Sequence, residues 1–241
     1  MMGLTLILLP GMDGSGQLFV PFIAALGDEF NVKVVCYPVD VPLGYAGLEQ
    51  IARAAIPPAG PVILLGESFS GPIAVSLAAS LGKRLAGLIL CCTFVRNPLP
   101  MLSGLRGWVG KLPVGRIPVS LFSCGLLGLS SAKSLRVALA ASMVGVSPEV
   151  LRERMRAVLA VDVSEKLSQL HAPLLYLRAT RDWVVPRAAG DWIVRLAPQT
   201  RVTEFDAPHF LLQTVPTETA RIVAEFCSQI QCPQPDEAEL R

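Results

Sequence analysis

The segment most informative about the architecture is Val62-Ile63-Leu64-Leu65-Gly66-Glu67-Ser68-Phe69-Ser70-Gly71. Its first four residues are apolar and lie between Pro61 and a glycine, which is typical of a short strand buried on both faces. From Pro72 onward, apolar residues recur at helical spacing as far as Leu81. A serine between such a strand and such a helix lies on a tight turn, with the first backbone N–H groups of the helix beside its hydroxyl. Ser68 is therefore predicted to be a nucleophile, the alternative being a serine that only caps the helix.

Further apolar runs have the length and composition of buried strands. They are Leu4–Leu9, Val32–Tyr37, Leu88–Cys92, Leu174–Leu177 and Arg201–Phe205. Apolar residues at helical spacing follow most of them, at 18–26, 48–55, 188–196 and 217–230. This alternation predicts an α/β fold with a mostly parallel central sheet of about six strands and helices on both faces. Functional loops follow the carboxyl ends of parallel strands, so Gly11-Met12 and Ser68 are predicted to face one crevice.

The interval 97–159 interrupts the alternation. It is rich in Gly, Pro and Leu, and the segment from Arg96 to Arg156 carries nine basic residues against two glutamates, a net charge of +7. We expect a helical cap inserted over the crevice, the alternative being extra helices packed at the sheet edge. The positive charge suggests a substrate with an anionic group, or peripheral contact with an anionic surface. A single domain is predicted to occupy 1–232, with a polar tail at 233–241.

Composition limits the class of protein. The chain has 241 residues, of which 52% are hydrophobic and 17% charged, and this excludes a disordered or fibrous protein. A net charge of +2 is too small to indicate a nucleic-acid partner. Six cysteines without a C-x-x-C pair are typical of free thiols in a reducing compartment. The amino terminus lacks a basic signal-peptide region, and no apolar run reaches the roughly 18 residues of a membrane span, so we expect a soluble cytoplasmic protein.

A nucleophilic serine needs a base to remove its proton and an acid to orient that base. The chain has two histidines. His171 precedes the fifth strand, at the end of the sheet away from the crevice, whereas His209 follows the sixth strand at the carboxyl end and is the predicted base. Asp182, immediately past the fifth strand, is the predicted acid. Asp206 is the reserve candidate for the acid, and Asp162 is a weaker one.

These residues resemble the α/β-hydrolase family. The segment around Ser68 is similar to that family's Gly-x-Ser-x-Gly nucleophile elbow, with Gly66 in place and Ser70 where the motif has its last glycine. The order Ser68, Asp182, His209 is the order of the α/β-hydrolase triad, which differs from the orders in the chymotrypsin and subtilisin families. The resemblance implies the α/β-hydrolase fold with a cap insertion.

The resemblance also implies an activity. It points to a serine esterase or thioesterase that cleaves a small to medium apolar acyl substrate through an acyl-enzyme, with no metal or organic cofactor. The family draws its oxyanion donors from the residue after the nucleophile and from the loop after the first strand, which here are the backbone N–H groups of Phe69 and Met12. The usual His-Gly of that loop is Pro10-Gly11 in this chain.

Two other classes of function stay open. A hydrolase fold can serve as a non-catalytic ligand receptor or interaction module. A strand, the glycine-rich loop Gly11–Gly16 and a helix also describe a dinucleotide-binding unit of an oxidoreductase. The glycines of this loop run G-x-x-G-x-G and not G-x-G-x-x-G, which argues against the second class.

Overall fold

The computed structural model of the protein describes residues 4–105, 107–109 and 133–230. Within them a single sheet contains six strands, in agreement with the prediction. In chain order the strands are β1 (Thr5–Leu9), β2 (Asn31–Val34), β3 (Val62–Glu67), β4 (Leu85–Cys91), β5 (Leu174–Arg181) and β6 (Arg201–Pro208). They lie in the order β2-β1-β3-β4-β5-β6, and every neighbouring pair is parallel. Because β2 and β3 lie on opposite sides of β1, the loops after β1 and β3 open at the point where strand order reverses.

The ends of several strands differ from the predicted ends. The second strand stops at Val34 and not at Tyr37, because the backbone N–H of Tyr37 donates to the carbonyl of Gly14 at 2.8 Å instead of continuing the ladder. Strands β5 and β6 run farther than predicted, to Arg181 and Pro208, because they pair with each other beyond their apolar parts. Pairing with a neighbour therefore extends a strand past the residues that its hydrophobicity indicates.

Helices cover both faces of the sheet. The described α-helices are α1 (Val20–Leu26), α2 (Tyr45–Ala55), α3 (Gly71–Leu81), α4 (Lys133–Val144), α5 (Pro148–Ala160), α6 (Ser164–Ser168), α7 (Arg187–Leu196), α8 (Leu211–Thr214) and α9 (Pro216–Gln229). Phe22 of α1 and Phe226 of α9 pack on one face of the sheet, and Leu48 of α2 and Ile193 of α7 pack on the other. None of the described helices is long and apolar enough to cross a bilayer.

The interval predicted as an insertion leaves and rejoins the domain at neighbouring points. Arg96 and Asp162 form an isolated antiparallel bridge, and the N–H of Asn97 donates to the carbonyl of Val161 at 2.9 Å. Between these ends the described residues form a 3-10 turn at Pro100–Leu105 and the helices α4 and α5. Residue 106 and residues 110–132 of the predicted cap, and the predicted tail at 233–241, lie outside the described residues.

Helix α4 rests on the loops at the carboxyl end of the sheet. Leu139 is buried against Leu18, which follows the loop after β1, and against Phe210, which follows β6. Leu135 and Met143, one turn before and one turn after Leu139, pack against the same cluster. This contact places α4 beside the crevice, and its role as part of a cap stays a prediction.

The cysteines in the described part of the chain carry free thiols. Cys91, Cys92 and Cys227 are buried, whereas Cys36 is exposed. Successive side chains of a strand point to opposite faces, but Cys92 has a φ of 45° directly after β4, and both Cys91 and Cys92 join the same core cluster. The left-handed residue therefore ends β4 with a kink at the edge of the crevice.

Candidate active site

Ser68 occupies the sharp turn between β3 and α3. Its φ of 49° lies in the left-handed region, which residues with a side chain rarely adopt unless the surrounding structure holds them there. Its Oγ lies 2.8 Å from Nε2 of His209. The first turn of α3 is preceded by Ser70, which makes no side-chain capping bond. Ser68 is not the N-cap residue of either the 3-10 turn or α3, and its hydroxyl faces His209.

Two glycines allow α3 to approach the sheet closely enough to form this turn. A Cβ atom on Gly66 would lie 2.7 Å from Cβ of Ala74, and one on Gly71 would lie 2.0 Å from Oγ1 of Thr93. Both distances are shorter than any ordinary contact between carbon and a heavy atom. The glycine that the elbow motif requires is thus supplied at position 71, one residue later than in the motif.

Ser70 takes the place of the missing glycine and forms bonds of its own. Its buried hydroxyl donates to the carbonyl of Pro10, in the loop after β1. It also lies 3.0 Å from the hydroxyl of Tyr37. Because the single proton of the Ser70 hydroxyl goes to Pro10, the hydroxyl of Tyr37 donates to Ser70, and burial raises the pKa of Tyr37. The substitution therefore links the nucleophile turn to the loop that carries Met12.

His209 and Asp182 continue the hydrogen bonds that begin at Ser68. Nδ1 of His209 lies 2.7 Å from Oδ2 of Asp182, and the side chain of His209 is only 1% exposed. The other carboxylate oxygen of Asp182 accepts the N–H groups of Val184 and Val185 at 2.8 and 2.9 Å. Asp182 thereby holds the proton of the imidazole on Nδ1, which leaves Nε2 to accept the proton of the serine hydroxyl.

The other titratable candidates lie apart from this group. His171 is exposed before β5. The side chain of Asp206 is 83% exposed and pairs with Arg181 at 2.8 Å. Asp162 is exposed, and one of its carboxylate oxygens accepts the N–H of Ser164 at 2.9 Å. The structure thus brings Ser68, Asp182 and His209 together and leaves the reserve acids elsewhere.

The orientation of the Phe69 N–H follows from the bonds of the preceding carbonyl. The carbonyl of Ser68 accepts the hydroxyl of buried Thr93 and the N–H of Gly71. In a trans peptide the C=O and the following N–H point in opposite directions. The N–H of Phe69 is therefore turned away from the packed side of the turn.

The N–H of Met12, in the loop after β1, is oriented in a similar way. The carbonyl of Gly11 accepts the N–H of Gly14 at 3.1 Å, so the N–H of Met12 points away from Gly14. On the other side of Met12, its own carbonyl accepts Nη1 of Arg154 at 2.6 Å. Both peptide groups that flank Met12 are therefore held by hydrogen bonds.

A buried polar pair joins the nucleophile turn to the histidine loop. Nε2 of Gln213 donates to Oε1 of Glu67 at 2.9 Å, and both side chains are buried. Burial raises the pKa of Glu67 to about 8, and the hydrogen bond from Gln213 opposes that rise. Glu67 directly precedes Ser68, and Gln213 lies one helical turn after His209. The pair therefore connects the segment that carries Ser68 with the segment that carries His209.

Cys92 lies beside Asp182 and His209 and offers a third potential metal ligand. Its Sγ, a carboxylate oxygen of Asp182 and a ring nitrogen of His209 all lie within 4.8 Å of one another. Sulfur, nitrogen and oxygen donors of this kind suit zinc, whose tetrahedral ligands at about 2 Å from the metal lie more than about 3 Å apart. Asp182 and His209 already meet at 2.7 Å, so a metal here would require their hydrogen bond to open. The arrangement fits proton transfer better than metal ligation.

Several basic residues of the insertion contact other groups of the protein. Arg152 pairs with Glu149 at 3.0 Å, and Arg156 pairs with Glu153 at 3.1 Å. The guanidinium of Arg96 lies 3.6 Å from the ring centroid of Trp192. Arg154 is fully buried. The two glutamates are already subtracted in the net charge of +7, so the further reduction comes from the burial of Arg154 and the stacking of Arg96 on Trp192.

Sequence reasoning missed Thr93, Gln213 and Arg154. Thr93 follows a strand at its carboxyl end, which is the same signal that selected Asp182, and it could have been found. Gln213 lies in an ordinary helical pattern, and Arg154 was counted only as one of several basic residues. Their partners lie 146 and 142 residues away in the chain, so only folding identifies them.

The parallel sheet and the order of the serine, carboxylate and histidine along the chain define a protein of the hydrolase class. The chain belongs to the alpha/beta hydrolase family, whose model matches residues 6–222. It is 38% identical to phytyl ester synthase 1, chloroplastic, of Arabidopsis thaliana over 109 residues, which cover 41% of this chain and 15% of that protein. The chain therefore spans only a small part of that relative.

Two further relatives cover most of the chain. It is 26% identical over 218 aligned residues to the putative carbamate hydrolase RutD of Yersinia enterocolitica, covering 80% of this chain and 76% of that protein. The enol-lactonase of Burkholderia xenovorans has a similar solved structure, with a TM-score of 0.81 and 18% identity, covering 94% of this chain and 92% of that one. At that identity the structural likeness establishes the fold.

Proposed function

We propose that the protein is a serine hydrolase that cleaves a carboxylic ester or thioester through an acyl-enzyme. The observation that carries the proposal is the row of hydrogen bonds from Ser68 to His209 at 2.8 Å and from His209 to Asp182 at 2.7 Å. A serine hydroxyl is a weak nucleophile at neutral pH, and a histidine held in the correct tautomer removes its proton during attack.

In the first half of the reaction, Oγ of Ser68 attacks the carbonyl carbon while its proton passes to Nε2 of His209. Asp182 stabilises the imidazolium that forms. The backbone N–H groups of Met12 and Phe69 bind the oxyanion, each worth on the order of 10²-fold in rate or more. His209 then gives its proton to the departing alcohol or thiol, and Ser68 is left acylated.

In the second half, water attacks the acyl-enzyme. His209 removes a proton from the water and returns it to Ser68 as the carboxylic acid leaves. None of these steps requires a metal or an organic cofactor. An alcohol that replaced water would give acyl transfer by the same steps, and one relative is named as an ester synthase.

The proposed substrate has a small to medium apolar acyl group. Leu18, Leu139 and Phe210 form an apolar cluster directly beside His209. The names of two relatives refer to an ester and to a carbamate, and each of these groups contains a carbonyl carbon that a serine can attack. A salt titration of kcat/KM would test the separate prediction of an anionic group on the substrate, because screening weakens only the electrostatic part.

A fluorophosphonate probe tests the proposed nucleophile. The purified full chain is treated with the probe, and the labelled peptide is identified by mass spectrometry. We expect an adduct on Ser68 that is absent from Ser68→Ala and strongly reduced in His209→Ala, because both the hydroxyl and the base are required. His171→Ala is the matched control, and it should be labelled like the wild type.

A panel of esters and thioesters of increasing acyl length then defines the substrate, with added alcohol to detect acyl transfer. A folded protein without an adduct on Ser68 would contradict the proposal, as would a His209→Ala variant that labels at the wild-type rate. Either result would favour the non-catalytic receptor or interaction module, which keeps the fold but does not need an activated serine.

A further inference from the structure

Arg154 is a buried arginine that forms no close ion pair within the described residues, although the buried carboxylate of Asp13 attracts its charge. It lies in α5 and is 0% exposed. Its Nη1 donates to the carbonyl of Met12 at 2.6 Å, and its Nη2 donates to the carbonyl of Pro38 at 2.8 Å. Removing a guanidinium from water is costly unless hydrogen bonds replace the lost hydration. Here backbone carbonyls of two separate loops supply bonds to Nη1 and Nη2, while the buried Nε has no hydrogen-bond partner among the described residues.

The surroundings of the guanidinium are shaped to admit it. A Cβ atom on Gly14 would lie 2.9 Å from both terminal nitrogens of Arg154, so only glycine leaves room for this contact. Gly14 also has a φ of 72°, which glycine adopts without strain. The ring of Tyr37 lies 5.9 Å from the centre of the guanidinium. The loop after β1 thus packs closely against the guanidinium of Arg154, which lies in α5.

These contacts determine the conformation of Met12. The bond between Gly14 N–H and the Gly11 carbonyl fixes the peptide before Met12, and the bond from Arg154 fixes the peptide after it. The N–H of Met12 belongs to the first of these peptides, which Gly14 holds. Arg154 packs against Gly14 and also fixes the second peptide, so it supports Met12 from both sides. In the loop after β1, the orientation of the proposed oxyanion donor therefore depends on a residue of the inserted segment.

We propose that Arg154 is a positioning residue that couples the inserted segment to the oxyanion loop. The inference rests on the proposed function, since it assigns Arg154 to the orientation of the Met12 N–H during acyl transfer. Arg154 does not touch the substrate or the reacting atoms. It acts by holding the carbonyl of Met12, so its loss weakens transition-state binding and leaves substrate binding nearly unchanged.

The test compares an ester with its thionoester, in which sulfur replaces the carbonyl oxygen. Sulfur accepts hydrogen bonds weakly, so the ratio of kcat for the ester to kcat for the thionoester reports the contribution of the oxyanion donors. The variants are Arg154→Met, which keeps the apolar stem, and Arg154→Lys, which keeps the charge and can bond one carbonyl. The control is Arg156→Met in the same helix, whose guanidinium pairs with Glu153 and is 41% exposed.

We expect kcat of Arg154→Met for the ester to fall by roughly 10- to 100-fold with KM changed less than about threefold, since losing one oxyanion donor outright costs about 10² to 10³. The ester-to-thionoester ratio should fall about tenfold, with Arg154→Lys intermediate and Arg156→Met equal to the wild type. A smaller folded fraction lowers both rates equally and leaves the ratio unchanged. A wild-type ratio in Arg154→Met would overturn the inference. Ser68→Ala with wild-type activity would instead overturn the proposed function, so the two failures are distinguishable.

Discussion

Asp182 uses both of its oxygens in the candidate site. One accepts the N–H groups of Val184 and Val185, and the other accepts Nδ1 of His209. In Asp182→Asn the carbonyl oxygen of the new side chain would stay with the two backbone donors, and its NH₂ group would face His209. That arrangement favours the tautomer with the proton on Nε2, which cannot accept the serine proton.

We therefore expect kcat of Asp182→Asn to fall by about 10³ to 10⁴, with little change in stability. Hydrolysis of the best ester of the panel, together with a thermal melt, measures both quantities. Asp206→Asn and Asp162→Asn are the matched controls, because these carboxylates are exposed and lie outside the group. Equal losses in Asp206→Asn would show that the reserve acid has the role assigned to Asp182.

Glu67 provides a prediction about pH. Its pKa is raised from the ordinary value of 4.5 to about 8, mainly by burial. The folded state therefore holds this proton more tightly than the unfolded state does. The stability that the protonated carboxyl contributes is fully present below about pH 4.5 and is lost as pH rises toward 8.

Glu67→Gln, which is neutral at every pH, should remove this part of the pH dependence. We expect the melting temperature of the wild type, relative to that of Glu67→Gln, to decrease steadily between about pH 5 and pH 8 and then to level off. Thermal melts of both proteins across this range make the comparison. A difference that is constant with pH would mean that Glu67 is already ionised in the folded protein at low pH.

At the scale of elements, the contact of α3 with the sheet depends on small residues. The missing side chain of Gly71 leaves space for Thr93, whose hydroxyl holds the carbonyl of Ser68. Gly66 leaves space for Ala74 in the same way. The close approach of helix and strand is what keeps Ser68 in its left-handed conformation. The conformation of Ser68 therefore depends on how closely α3 packs against the sheet.

We predict that Gly71→Ala lowers the free energy of unfolding by about 1–3 kcal/mol, because its Cβ cannot fit beside Thr93 without displacing the helix. The rate of ester hydrolysis should fall along with stability, since the turn that carries Ser68 moves with α3. Urea unfolding and ester hydrolysis measure the two effects. Gly104→Ala is the control, since a Cβ there meets open space, and it should change neither quantity.

At the scale of the whole molecule, stability is expected to differ between the sheet and the inserted helices. All residues of β3 and β4 are buried between two layers of helices. Helix α4, in contrast, is attached through a small cluster around Leu139, and its Val137 and Val144 are exposed. Segments with few buried apolar contacts open at lower free energy than the core does.

Hydrogen exchange followed by mass spectrometry should reveal this difference. We expect amides of α4 to exchange at least about 100-fold faster than those of β3 and β4, because local opening of α4 does not require the sheet to unfold. Helix α5 is expected to be intermediate, since Arg154 joins it to the loop after β1. Equal protection of α4 and β3 would indicate that the inserted segment and the sheet open as one cooperative unit.

The alternation of strands and helices, the position of the turn at Ser68 and the residues that meet there could be predicted from the sequence. These features are local: an apolar run predicts a buried strand, and a residue just past its end lies at the carboxyl edge of a parallel sheet. For that reason Ser68, Asp182 and His209 could be selected from three distant parts of the chain, and Asp206 and Asp162 remained as alternatives. The bonds of Asp182 to His209 and of Asp206 to Arg181 then separated the candidates.

The contacts that hold those residues in place could not be predicted from the sequence. Thr93 on the carbonyl of Ser68, Gln213 on Glu67 and Arg154 on Met12 are contacts between segments far apart in the chain. The spacing of apolar residues predicts which face of a helix is buried. It does not show which distant group a polar side chain of that helix will contact. Likewise, the number of basic residues in the insertion does not show which of them are buried or paired. In the folded protein Arg154 is buried, and Arg152 and Arg156 pair with neighbouring glutamates.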